Sequence, residues 1–358
     1  MSAEGPGGAG PGHAGPGPRS HERAGVRRGS PALAVPVAAA VLLASAALAL
    51  LFGSERASLF VAISEPASLD RVLLFDVRLP RIALAAIAGA GLSIVGAAFQ
   101  ALLRNPLAEP YILGVSGGAA FGATAAIALG AGTATLLGAA VVPAAALLGG
   151  LGATLLVYAI ARRAEHGSAG TSILLAGVMV NAIASALVTF LKTFVGPSRA
   201  QQLLRWLTGF VDLPTGAALL TTAIYVGLGC TILLRDAARM NLLALGDDTA
   251  GTLGVDVRAL TRRTFFASSC IVGAIVSLTG LIGFVGLVVP HALRRTLGPD
   301  HRALFPASML VGAAMVLLCD LASRLLFRAL GTEPPVGAVT AMIGGPVFLA
   351  MLARTSRA

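Results

Sequence analysis

The thirty residues from Thr264 to Leu293, TFFASSCIVGAIVSLTGLIGFVGLVVPHAL, are apolar almost throughout, and they decide how many times the chain crosses a membrane. As one straight helix they would measure about 45 Å at 1.5 Å per residue, well beyond a hydrocarbon core of roughly 30 Å. Gly280, Gly283, Gly286 and Pro290 interrupt the run. Glycine and proline weaken an intrahelical hydrogen-bond ladder, so the stretch reads as a full span followed by a short return span.

Working outward, further apolar runs lie at 34–52, 82–103, 111–129, 134–160, 172–194, 215–234, about 303–326 and 336–353. With the split pair they predict ten spans. The bulk composition agrees: 56% of the 358 residues are hydrophobic, 12% are charged, and the mean hydropathy is +0.86. Such a chain is dissolved mainly in lipid, and its fold class is an all-α integral membrane protein.

The charged residues test the layout. With the N-terminus inside, 17 of the 26 basic residues fall in cytoplasmic pieces and 9 in outer ones, the bias that orients membrane proteins. Without the split at Gly280, the loop carrying Arg294, Arg295 and Arg302 would fall outside and weaken that bias. The expected location is a bacterial inner membrane, multi-pass, with both termini cytoplasmic. Lys192 is the only lysine, a skew typical of a high-GC bacterial genome.

Residues 1–33, rich in Gly, Pro and Ala, cannot bury enough apolar surface to offset chain entropy and are expected to form a disordered cytoplasmic tail. Arg27 and Arg28 before the first run resemble the start of a signal peptide. That run is about 19 residues long, lacks a convincing cleavage site and is followed by many more spans.

Several functions are excluded by what the chain lacks. A net charge of +10 with no basic run interleaved with aromatics does not read as nucleic-acid binding. A phosphate-binding loop needs glycines before its lysine, and Phe190-Leu191-Lys192-Thr193 has none. His13, His21 and His166 fall in the tail or a loop, while His291 and His301 flank another loop, so no catalytic or metal constellation is expected. Cys230, Cys270 and Cys319 sit in apolar runs without ligand spacing and read as small packing residues.

Six segments carry more specific information. Arg78-Leu79-Pro80-Arg81 opens the second span, and Arg104-Asn105-Pro106-Leu107-Ala108-Glu109-Pro110 closes it, with prolines that stop helices. Next come Leu113-Gly114-Val115-Ser116-Gly117-Gly118-Ala119, then Leu243-Ala244-Leu245-Gly246-Asp247-Asp248-Thr249-Ala250 with Leu253-Gly254-Val255. Gly283-Phe284-Val285-Gly286 through Pro290-His291 precedes Gly298-Pro299-Asp300-His301-Arg302. The last is Glu333-Pro334-Pro335-Val336-Gly337, ending in Gly344-Gly345-Pro346.

In this order and spacing the segments resemble the FecCD-type permeases of ABC importers for iron-siderophores, haem or cobalamin. The resemblance spans residues 34–354 and implies a type II importer architecture. In it, two permease copies, or two related permeases, surround a central pathway. An extracytoplasmic substrate-binding protein stands outside and cytoplasmic ATPase subunits inside. It also implies that this chain is no enzyme and binds no cofactor itself, ATP and Mg belonging to the ATPase. On prevalence within the family the expected substrate is a ferric siderophore, with cobalamin or haem as alternatives.

The resemblance also implies site residues. Arg78, Arg81 and Arg324 match positions that present arginines to acidic groups on the binding protein. The plainer readings are that Arg78 and Arg81 anchor a span at the headgroups and that Arg324 pairs with Asp320 four residues earlier. The segment 243–255 matches a pair of short helices that dock into the ATPase. In it Gly246, Ala250, Gly251 and Gly254 would permit close approach, Leu245 and Leu253 would be apolar anchors, and Asp247 or Asp248 would cap a helix start. Its alternative is a helix packed on its own subunit. Thr171 and Ser172 match the cytoplasmic gate and are equally good N-caps. Asn181 is a pathway candidate, interhelical hydrogen bonding being the commoner use of such an amide.

Two rival classes stay open from the residues alone. An ion-coupled secondary transporter also has many spans and broken helices, but it would show buried ionisable groups, and Asp320 is the only acid well inside a span. A membrane enzyme would need clustered His, Asp or Glu on facing helices.

Overall fold

A computed structural model describes residues 31–131, 138–163 and 169–355. The expected tail at 1–30, with His13, His21, Arg27 and Arg28, and also His166, lie outside the described residues. Among the described residues the regular structure is entirely helical.

In chain order the first helices are α1 (Pro31–Leu51), α2 (Leu59–Ser64), α3 (Leu69–Arg71) and, after a π-helical turn at Val72–Arg78, α4 (Leu79–Leu102). A 3-10 turn at Pro110–Leu113 leads to α5 (Val115–Ala128), α6 (Gly138–Arg163), α7 (Ala169–Lys192) and α8 (Pro197–Thr208). Then follow α9 (Gly216–Leu243), α10 (Asp247–Thr252), α11 (Val257–Thr279), α12 (Val285–Leu297), α13 (His301–Leu330) and α14 (Val336–Thr355). Ten of these, all but α2, α3, α8 and α10, fall on the ten expected spans. Seven are long and apolar enough to cross a membrane by length alone, while α5, α12 and the apolar part of α14 are shorter.

α4 is the axis of the molecule: every residue from Gly91 to Leu102 is buried. Neighbours reach it at glycine contacts, because backbones approach closely only where side chains are small. A Cβ on Gly89 would stand 2.1 Å from the carbonyl oxygen of Gly312 in α13, and one on Gly96 would stand 1.8 Å from that of Gly286 in α12. α1 packs against α13 on one side, while α5, α6 and α7 form a second group joined to the axis through α11.

The stretch from Thr264 to Leu293 is broken as expected, but not by all of the residues named for it. Gly280 (φ 65°) and Phe284 (φ 68°) bound the break, whereas Gly286 and Pro290 lie inside α12. Proline in a helix leaves the carbonyl four residues earlier without its usual donor. Here that carbonyl belongs to Gly286, and the Gln100 Nε2 group of α4 donates to it at 3.3 Å. The tertiary partner lets the helix continue through Pro290.

Candidate functional site

One end of the helix bundle carries the segment 243–255. α9 stops at Leu243, Gly246 takes φ 116°, the six-residue α10 follows, and Gly254 takes φ 84° before Asp256 caps α11 by accepting from the N–H of Ala259 at 2.9 Å. Positive φ is the conformation that favours glycine, so the two glycines shape the turn rather than merely leave room. Leu245 and Leu253 are 62% and 54% exposed. Leu243, Ala250 and Val255 are buried against the chain's own body, so Ala250 is a contact within the subunit rather than part of an outward face.

The cap expected from Asp247 or Asp248 is corrected too. Gly246 is the N-cap, and both acids lie in the first turn of α10, where carboxylates complement the helix dipole. Asp247 also pairs with Arg104 at the end of α4, whose Nε donates to the Leu243 carbonyl at 3.2 Å. Asn241, on the last turn of α9, donates to Asp300 at 2.7 Å and accepts from the His301 N–H at 2.9 Å. The Arg302 N–H and the Asn241 amide hold the Asp300 carboxyl below its ordinary range. The segment is thereby fixed at both shoulders, to α4 and to the start of α13.

At the opposite end the arginines have internal partners. α1 ends with carbonyls that no helical N–H reaches, at the negative end of its dipole. Arg78 donates to Leu50 O at 2.6 Å, to Leu51 O at 3.2 Å and to Glu55 O, and Arg324 donates to Ala49 O at 3.2 Å. Both are buried, at 4% and 5% exposure. Arg78 and Arg324 thus act as C-caps of α1 in this structure. Arg324 also bonds Asp320 at 2.9 Å, the intrahelical pair read from the four-residue spacing. Arg81 bonds Asp320 at 2.8 Å and Glu333, and its side chain and that of Glu333 are the members of this group that reach the surface.

Between the two ends, the broken segment is held by a polar relay that the sequence alone did not reveal. The Tyr111 hydroxyl donates to Ile282 O at 2.8 Å and accepts from its N–H at 2.9 Å, while Glu109 accepts from the Phe284 N–H at 2.7 Å. Burial holds the Glu109 carboxyl above its ordinary value, against the lowering effect of that N–H. Asn181 accepts from the Gly117 N–H at 3.0 Å and donates to Tyr111 O at 2.5 Å. It therefore makes the interhelical bonds that were the plainer reading. It also borders a cavity of about 490 Å³, with Ser185, Thr189 and Lys192 one, two and nearly three turns further along α7.

α7 begins at Ala169, so Thr171 and Ser172 stand within the helix and are not N-caps. The side chain of Thr171 lies outside the described residues, and Ser172 faces a second cavity.

Comparison with known proteins places this architecture. The family model described as the FecCD transport family matches residues 40–354. Over 326 residues the chain is 40% identical to the cobalamin import system permease protein BtuC of Halobacterium salinarum, covering 89% of this chain and 85% of that one. It is 36% identical to the hemin transport system permease protein HmuU of Yersinia pestis, covering 78% and 82%. Among solved structures, an inward-facing ABC transporter of a type assigned to metal chelates superposes with a TM-score of 0.78. The identity is 33%, covering 90% of this chain and 99% of that one.

Proposed function

The chain belongs to the FecCD transport family as a multi-pass ABC importer permease, and on that premise we propose that it carries a bulky metal chelate inward, with a corrinoid as first choice. The substrate reading rests on relatives named for cobalamin import at up to 40% identity and one named for hemin at 36%. None of the relatives named above is a ferric-siderophore permease, so prevalence alone no longer carries that expectation. Uptake of labelled cobalamin, haem and ferric siderophore in a deletion strain separates the three, and uptake of only the siderophore would reject the corrinoid reading.

The observation that carries the mechanism is the inner segment: Leu245 and Leu253 stand exposed on a turn fixed to α4 and α13. In this proposal an ATPase subunit, a separate chain holding ATP and Mg, takes both leucines into its surface. Nucleotide-driven movement of that surface is transmitted through the Arg104–Asp247 pair to α4 and through Asn241 to α13. The groove along Asn181, Ser185, Thr189 and Lys192 forms one wall of a pathway completed by a second permease, with Thr171 and Ser172 near its inner mouth. Outside, Arg81 with Glu333 offers the reachable edge at which a binding protein docks.

Burying one leucine is worth about 1.5–3 kcal/mol, so L245D with L253D should lower ATPase affinity by a hundredfold or more, about 3 kcal/mol or above, while insertion stays normal. Co-purification of the ATPase measures it, and full retention would sink the docking assignment. Against an ion-coupled transporter stand the family match and the exposed leucines of 243–255, and Asp320 is held between two arginines. The inner-membrane, N-inside orientation is tested by reporter fusions at Ala358 and in the Gly298–Arg302 loop, both expected to read cytoplasmic.

A further inference from the structure

Where the inner ends of α6 and α7 meet the start of α11, a cavity of about 520 Å³ opens between the helices. Its lining includes Tyr158 and Ile173 together with Arg162, Arg258 and Arg262. Two other arginines at this end, Arg239 and Arg263, share Asp236, the latter at 3.2 Å. Among the described residues the three around the cavity have no such carboxylate, and Arg162 is held only over the Tyr158 ring, 5.8 Å from its centre. Asp256 also lines the cavity, but one of its oxygens is committed to the Ala259 N–H as the cap of α11.

Three arginines against one carboxylate leave the lining of this cavity net positive, which favours an anion. We propose that this cavity binds the phosphate headgroup of an anionic phospholipid of the inner leaflet, with its acyl chains lying between α6 and α7. Those chains would meet Leu155, Leu156 and Ile160 on α6 and Leu175 on α7, which are 56%, 51%, 46% and 62% exposed. A basic cavity between helices whose neighbouring faces expose large apolar side chains suits a lipid better than a soluble anion, which would leave those side chains bare. The leaflet assignment rests on the N-inside reading above; the headgroup chemistry does not. Because Ser172 lines the same cavity at the root of α7, the bound lipid would stiffen the inner mouth of the pathway.

The test is native mass spectrometry of the purified permease–ATPase complex titrated with phosphatidylglycerol or phosphatidylcholine. Wild type should prefer phosphatidylglycerol by about thirtyfold, R258A with R262A should abolish the preference, and R258K with R262K should keep most of it. Inorganic phosphate at millimolar concentration should not displace the lipid; displacement would make this a free-phosphate site and overturn the proposal. So would equal binding of the two lipids to wild type, or a double alanine variant that keeps its preference while losing its ATPase. Failure of wild type to retain any ATPase would count against the importer mechanism alone, since headgroup preference is scored on the permease in either case.

Discussion

Replacing Asp320 with alanine removes the carboxylate that Arg81 and Arg324 share. Asp320 is fully buried, and its partners' side chains are 15% and 6% exposed, so solvent offers little compensation. Removing one partner of a buried pair typically costs about 3–5 kcal/mol, mostly for the charge left behind. Arg81 keeps Glu333 and Arg324 keeps the Ala49 carbonyl, which places the cost at the low end, about 3 kcal/mol. At about 2–4 °C per kcal/mol for a long chain, the Tm in lipid nanodiscs should fall by about 6–12 °C. Intrinsic fluorescence of Trp206 follows the transition. An accompanying R81M, which removes the orphaned charge, should recover part of the loss. A D320A protein melting within about 1 °C of wild type would refute the hub.

N181L removes two interhelical hydrogen bonds and leaves Gly117 N–H and Tyr111 O unpaired; we expect about 1–3 kcal/mol of destabilisation with reduced uptake, measured by thermal shift and transport assay. Gly254 has open space where a Cβ would go but a φ of 84°, so G254V should act through backbone strain of about 1–2 kcal/mol rather than by overpacking. The readout is loss of ATPase stimulation with normal insertion, and unchanged stimulation would contradict it. The raised Glu109 pKa means that the folded chain holds this proton more tightly than the unfolded one. Its contribution to stability is therefore full below the ordinary carboxylate range and lost as pH rises through the raised value. E109Q should flatten that dependence, and an unchanged pH profile of Tm would show that Glu109 does not set it.

Periodicity and length were enough to place the spans, because lipid obliges every crossing to be a long apolar helix that satisfies its own backbone. The break near Gly280 was legible for the same reason: thirty apolar residues exceed one crossing. The turn at 243–255 was legible as a surface feature, since apolar residues among glycines in a polar connection stand out in composition. What sequence could not assign was the partner of each polar side chain. That Arg78 and Arg324 cap the end of α1 was not legible, because α1 lies 27 residues or more from either. Asp247 read as a cap, but Gly246 holds that position and Asp247 pairs with Arg104, and Pro290 read as a helix breaker until Gln100 supplied the missing donor. Local propensity and hydropathy act within a turn or two of the chain, whereas buried charges and freed carbonyls are satisfied by whichever group tertiary packing sets beside them. The apolar helices of this chain were therefore written in its sequence, and the internal partners of its arginines were decided only by the fold.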